Sequence, residues 1–144
     1  METNKVIIYT DGGSRGNPGP SAIGVYFETL NKKYSENIGE ATNNVAEYKA
    51  IIFALKKCKQ LVGKDNSKNT NIEIKSDSEL VVKQLNGEFK LKDEDLIPLF
   101  VDIWNLKQDF GEVSFTHILR EKNKIADKLL NEELDRAEKR RGLF

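Results

Sequence analysis

Four acids, Asp11, Glu47, Asp77 and Asp127, stand where carboxylates could do joint chemistry. Asp11 follows Lys5-Val6-Ile7-Ile8-Tyr9, an apolar run without alternation that reads as a strand buried on both faces. Asp11 is expected where that strand leaves the sheet. A carboxylate there is costly to bury unless a partner or a metal neutralises it. Asp77 follows Ile72-Glu73-Ile74-Lys75, an alternating strand, and precedes a helix that Leu80, Val81, Val82 and Leu85 enter. If the two strands are parallel neighbours, about 4.8 Å apart, both acids share the carboxyl edge of the sheet, where open α/β sheets place ligands. Two anions so close repel, and one is protonated unless a cation sits between them.

Glu47 lies one helical turn before Ile51, on the stripe formed by Ile51, Ala54, Leu55, Cys58 and Val62, so it points toward the sheet. Asp127 falls in the first turns of the closing helix, where the macrodipole favours an anion. Oxygen-only ligands suit Mg²⁺ or Mn²⁺. Four carboxylates can hold two such ions about 3.5–4 Å apart, clamping the attacking and leaving oxygens of a phosphodiester. Each acid also has an ordinary use: Asp11 and Asp77 as turn residues, Glu47 in a capping box, Asp127 as a helix-start charge. Taken singly among 23 acids, those uses outweigh catalysis. All four together, on these elements, favour it.

The elements that must position them follow from periodicity. Residues 21–29 read as a second strand, 30–33 as a turn and 34–38 as a third, more polar strand near an edge. A helix capped by Thr42 or a neighbouring Asn follows. Residues 63–71 read as a polar loop, 72–75 as the fourth strand and 86–93 as a link. An amphipathic helix starts at Asp95, with Pro98 tolerable in its first turn. Residues 113–118 are the last strand, and a helix from Asn123 closes the chain. The order β-β-β-α-β-α-α-β-α, with right-handed helical crossovers, predicts one mixed sheet covered by helices.

The totals set bounds. The 144 residues suit a single domain over 1–144, with the basic stretch at about 139–144 expected as a flexible, solvated tail. Net charge is zero, which argues against holding nucleic acid by bulk positive charge. The single cysteine, Cys58, reads as a small core hydrophobe, and no apolar run reaches the length of a membrane span. An intracellular, cytoplasmic location is the expectation.

The stretches Tyr-Thr-Asp-Gly-Gly-Ser-Arg-Gly-Asn-Pro-Gly-Pro (9–20), Thr-Asn-Asn-Val-Ala-Glu-Tyr (42–48), Ser-Asp-Ser-Glu-Leu-Val-Val (76–82) and Arg-Glu-Lys-Asn-Lys-Ile-Ala-Asp-Lys-Leu-Leu (120–130) together resemble type 1 ribonuclease H. They occur in the family's order and cover nearly the whole chain. The resemblance implies an α/β, ribonuclease H-like fold with a five-stranded mixed sheet in the order 3-2-1-4-5, flanked by helices. It implies endonucleolytic cutting of the RNA strand of RNA/DNA hybrids, leaving 3′-hydroxyl and 5′-phosphate ends. It makes Asp11, Glu47, Asp77 and Asp127 the ligands of two Mg²⁺ ions, with Mn²⁺ as the substitute and Asp11 bridging both. Gly12, Gly13, Ser14, Asn17, Thr42, Asn43 and Asn44 match positions near the nucleic acid, where Asn and loop backbone can meet a ribose 2′-hydroxyl. A monomer is the expected state.

Three departures from the family pattern stand out. Glu79 occupies a position where the family often has Gln, a donor. Residues 83–98 mix Lys83, Lys90 and Lys92 with Glu88, Asp93, Glu94 and Asp95, so the strongly basic substrate handle is absent. His117 lies ten residues before Asp127, the spacing of the family's catalytic-loop histidine, but Ile118-Leu119-Arg120 follows without a glycine. His117 therefore reads either as a catalytic group or as the end of a strand. Arg120 reads as a phosphate ligand or as a surface ion-pair arginine. The alternatives to a nuclease acting on hybrids are a catalytically weak hybrid-binding module and a DNA nuclease of the same broad fold.

Overall fold

The computed structural model describes residues 4–142. Strands β1 (Asn4–Ser14), β2 (Gly19–Phe27) and β3 (Lys32–Ala41) form an antiparallel meander. Helix α1 (Asn43–Val62) and the single turn α2 (Lys64–Ser67) lead to β4 (Thr70–Ser76). Helices α3 (Glu79–Leu85) and α4 (Ile97–Lys107) then lead to β5 (Val113–His117), and α5 (Lys124–Arg141) closes the chain. The sheet order is 3-2-1-4-5, with β4 parallel to both β1 and β5.

Strand alternation divides the molecule into two unequal halves. Val6 and Ile8 of β1, Val25 and Phe27 of β2, and Ile72 and Ile74 of β4 face α1, α3 and α4 and make the main core with Tyr48, Ile51, Leu55 and Ile103. Ala22 packs on the opposite face against Leu130 and Leu134 of α5. The first strand was expected to be buried on both faces. It is buried through Val6 and Ile8 and only half-covered through Ile7 and Tyr9, because α5 covers part of that second face.

Two glycines set how closely the helices approach. A Cβ on Gly12 would collide with the Ala46 carbonyl of α1. One on Gly24 would collide with the Ala126 carbonyl of α5 and lie 2.9 Å from the Leu130 nitrogen. Each helix backbone therefore rests directly on a strand backbone, one on each face of the sheet.

The structure corrects several expected boundaries. β1 does not end before Asp11; it continues to Ser14 because β2 stays paired with it, Asp11 opposite Gly24. Only the parallel ladder to β4 stops, at Thr10 opposite Ser76. The expected 63–71 loop contains α2 and the start of β4, and its polar side chains close on nearby backbone: Asn66 Nδ2 donates to the Val62 carbonyl at 2.8 Å and Thr70 Oγ1 to the Asn66 carbonyl at 2.9 Å. Helix α4 begins at Ile97 rather than Asp95, with Pro98 in its first turn as the spacing required. Lys139, Arg140 and Arg141, expected as a flexible tail, form the last turn of α5, and Arg140 pairs with Glu133 at 3.5 Å. Leu143 and Phe144 of that tail lie outside the described residues.

Gly24→Ala tests the close approach of α5. Overpacking of this kind costs about 1–3 kcal/mol, so the urea midpoint of unfolding falls with its slope unchanged; an unaltered midpoint would show that α5 can shift away freely.

Candidate active site

The end of the β1–β4 ladder places Asp11 beside Asp77, which follows β4 directly. Asp11 shares a rung with Gly24 and so lies on the face that α5 covers; Gly12, the next residue, lies on the α1 face. Because Gly12 lets α1 descend onto the strand, Glu47 reaches the sheet edge and accepts the Gly12 N–H at 2.7 Å. Asp11, Glu47 and Asp77 each offer an oxygen within 4.8 Å of the others. Asp127 joins from α5: it lines the same cleft, of about 410 Å³, and its charge acts on Asp11.

The electrostatics of this cluster are unfavourable as it stands. Burial, followed by the charges of Glu47, Asp77 and Asp127, pushes Asp11 up to about 9. Burial, and then Asp77, pushes Glu47 up to about 8 against the pull of the Gly12 N–H. Among the described residues, no Lys or Arg forms an ion pair with any of these acids. An all-oxygen donor set with no internal counter-charge fits a hard divalent cation.

Asn123 was read from the sequence only as the start of the last helix. It is 1% exposed and holds the cluster together. Its Nδ2 donates to the Thr10 carbonyl at 2.9 Å and to Asp77 Oδ2 at 3.1 Å. It occupies the N-cap position of α5, yet its side chain caps nothing there. It turns instead into the sheet edge and ties β1, Asp77 and α5 to one another. The one hint in the sequence is its place four residues before Asp127, on the same helical face.

The substrate-side candidates divide into two groups. Gly12, Gly13, Ser14 and Asn43 line the cleft beside the acids, as does Arg120. Asn17 is outside that lining but bound to it: its Oδ1 accepts the Asn43 N–H at 3.0 Å, while Asn43 Oδ1 accepts the Ser14 N–H at 2.8 Å. With both oxygens engaged by backbone, each carboxamide turns its NH₂ end outward as a donor. Thr42 caps α1 by accepting the Val45 N–H at 3.3 Å. Asn44 sits in the first turn of α1, away from the cleft lining. His117 ends β5, exposed and also away from that lining. Glu79 opens α3 with a largely exposed side chain, 3.8 Å from Lys83.

Residues 10–133 match the reverse transcriptase-like family. The chain is 38% identical over 138 residues to the bifunctional protein Rv2228c of Mycobacterium tuberculosis, covering 92% of this chain and 36% of that protein. It thus spans about a third of the length of that curated relative. Ribonuclease HI of Halobacterium salinarum is 42% identical over 137 residues, covering 92% of this chain and 66% of that one. Among solved structures, LC11-RNase H1, isolated from compost and crystallised in complex with an RNA/DNA hybrid, superimposes with a TM-score of 0.85 at 44% identity, covering 92% of this chain and 98% of that one.

The raised carboxyls make metal-free stability depend on pH. Asp11 and Glu47 bind protons more tightly folded than unfolded, where such groups titrate near 4. Their contribution is therefore present at low pH and is lost as pH rises through their folded values, about 9 and about 8. In EDTA the melting temperature should fall from about pH 5 to about pH 8. Asp11→Asn should flatten that fall, and Mg²⁺ should restore stability at the upper end. A melting temperature that rises over this interval would contradict the described cluster.

Proposed function

This chain belongs to the type 1 ribonuclease H family, and we propose that it hydrolyses the RNA strand of RNA/DNA hybrids endonucleolytically, leaving 3′-hydroxyl and 5′-phosphate ends. The observation that carries this reading is the group of Asp11, Glu47 and Asp77, oxygens within 4.8 Å of one another and no internal counter-charge. With Asp127 they would hold two Mg²⁺ ions, Mn²⁺ serving as substitute. When bound, such ions supply an activated water on one side of the phosphodiester and charge stabilisation of the departing 3′ oxygen on the other.

The chain's own residues do the rest by position. Glu47, braced on the Gly12 N–H, and Asp77, braced on Asn123, keep fixed places with one oxygen each toward the cluster. That preorganisation is where a site of this kind gains rate. The outward NH₂ groups of Asn17 and Asn43 can donate to a ribose 2′-hydroxyl or a phosphate, and the 2′-hydroxyl is what distinguishes RNA from DNA. Gly12, Gly13 and Ser14 line the cleft, and Arg120, also in its lining, supplies a cation for the scissile phosphate. His117, exposed at the end of β5, is left with a structural role in this reading.

Residues 1–144 are read as one domain, acting as a monomer in the cytoplasm. The buried Cys58, its thiol pushed up to about 12 by burial, is consistent with a reducing setting. Among the described residues no helix is long and apolar enough to cross a membrane.

The deciding assay is a gel of end-labelled RNA/DNA hybrid, with RNA duplex, single-stranded RNA and DNA duplex alongside. Cutting confined to the RNA of the hybrid, present with Mg²⁺ or Mn²⁺, absent with EDTA and lost in Asp11→Asn, is the expected result. Hybrid bound but uncut under both metals would leave a binding module; cutting of DNA duplex would move the chain to the DNA nucleases. Asn43→Asp keeps the acceptor for Ser14 but replaces the outward donor by charge. It should raise KM for the hybrid several-fold, about 1 kcal/mol of lost binding, with kcat near wild type. A changed kcat at constant KM would take Asn43 out of the substrate contacts.

A further inference from the structure

Asp127 differs from the other three acids. It stands on α5 rather than on the sheet or α1, outside the compact group of Asp11, Glu47 and Asp77. Neither the Gly12 N–H nor Asn123 holds its carboxylate. Its side-chain partner is Asn131, one turn along, whose Nδ2 donates to Asp127 Oδ1 at 3.2 Å and to the Asp127 carbonyl at 2.9 Å. Arg15, from the bend between β1 and β2, donates to Asn131 Oδ1 at 3.3 Å and to the Asn131 carbonyl at 3.5 Å. The same guanidinium is anchored by Asp135 at 2.8 Å and Glu138 at 2.7 Å.

We propose that Arg15 and Asn131 form a positioning relay that fixes the Asp127 carboxylate for the metal centre. A guanidinium has no acceptor. Only the oxygen end of the Asn131 amide can therefore face Arg15, which commits the NH₂ end to Asp127. Asp135 and Glu138 hold Arg15 in place and balance its charge, so it neither roams to a substrate phosphate nor reaches across to Asp127 itself.

The choice of a neutral amide is part of the device. Lys or Arg at position 131 would neutralise Asp127 and compete with a cation for it. Asp there would repel it. An amide orients one carboxylate oxygen and leaves the full charge, and the other oxygen, for the metal. Fastening the bend to α5 needs only the ion pairs to Asp135 and Glu138. The bond from Asn131 to the Asp127 side chain adds nothing to that fastening and is accounted for by positioning. Asp127, Asn131, Asp135 and Glu138 recur every three or four residues, so one face of α5 carries the whole relay.

The purpose of the relay rests on the metal-dependent reading above; its existence is tested separately. The side-chain amide resonance of Asn131, assigned by its loss in Asn131→Ala, is followed in ¹⁵N-labelled protein. It should move in Arg15→Gln and in Asp127→Asn. The Mg²⁺ midpoint for hybrid cleavage and the Mg²⁺-induced rise in melting temperature without hybrid are measured for Asn131→Ala, Arg15→Gln and the double variant. Each single variant should need about tenfold more Mg²⁺ on both readouts. The double variant should be no worse than Asn131→Ala, since Arg15 acts through it, and KM for the hybrid should stay near wild type. Arg15→Lys, which cannot bridge in the same way, should rescue only in part. An amide resonance indifferent to Asp127→Asn, Mg²⁺ midpoints within twofold of wild type, or additive losses in the double variant would each overturn the relay. So would a lowered melting temperature at unchanged Mg²⁺ dependence, the mark of a purely structural tie. Should the wild type cut nothing, the nuclease reading falls, while the resonance and the Mg²⁺-dependent melting still decide the relay.

Discussion

Mutual repulsion among carboxylates buried at one sheet edge is the constraint that the rest of this structure answers. Asp11 and Glu47 are each less than a tenth exposed, and Asp77 touches the same space. Left alone, such a cluster would take up protons or spread apart. The fold prevents the spreading with uncharged donors. The Gly12 N–H holds Glu47, the Asn123 amide holds Asp77, and the Asn131 amide holds Asp127. No lysine or arginine among the described residues forms an ion pair with the three clustered acids, so their charge stays available. The protein fixes the carboxylates in place and supplies no cation among the described residues to neutralise the three clustered acids.

The parts that repel are carried by the parts that pack. α1 can bring Glu47 to the edge only because Gly12 lets its backbone rest on β1, and α5 can bring Asp127 only because Gly24 does the same on β2. These contacts are on opposite faces of the sheet. The cluster is thus gripped from both sides, by helices whose apolar stripes reach far beyond it: Ile51, Leu55 and Cys58 on α1, Leu130 and Leu134 on α5. Burial of several such side chains, at about 1.5–3 kcal/mol each, is the favourable term set against the repulsion.

Much of this was legible in the chain. Apolar runs, the alternation of Ile72–Lys75 and period-3.6 stripes located the strands and the long helices, and Glu47 on an apolar stripe announced its inward direction. The adjacency of Asp11 and Asp77 was legible only on the condition that their strands are parallel neighbours, an order that the family resemblance supplied and composition did not. What escaped was set by tertiary contact. Nothing local says that β1 runs on through Gly12 and Gly13, because its partner β2 decides that. A polar run such as 63–71 looks like a loop until its side chains are seen closing on its own backbone. Asn123 and Asn131 have ordinary helix-surface identities, and their partners lie across the fold or one turn away. Arg15 sits in a glycine-rich stretch suited to ligands, yet α5 engages its charge fully.

The strand that carries Asp11 also sets a problem of timing. β1 is central, and its meander partners β2 and β3 are its immediate successors in the chain. Its other edge pairs with β4, beginning at Asn4 opposite Thr70. As the chain emerges from a ribosome, the backbone edge of β1 that pairs with β4 has no partner until all of α1 and α2 have been made. An open edge of this kind invites pairing with another chain. Helix α1 is the first element able to shield it, by covering the face beside that edge. The long amphipathic helix that delivers Glu47 therefore also serves as the interim guard of an unfinished sheet.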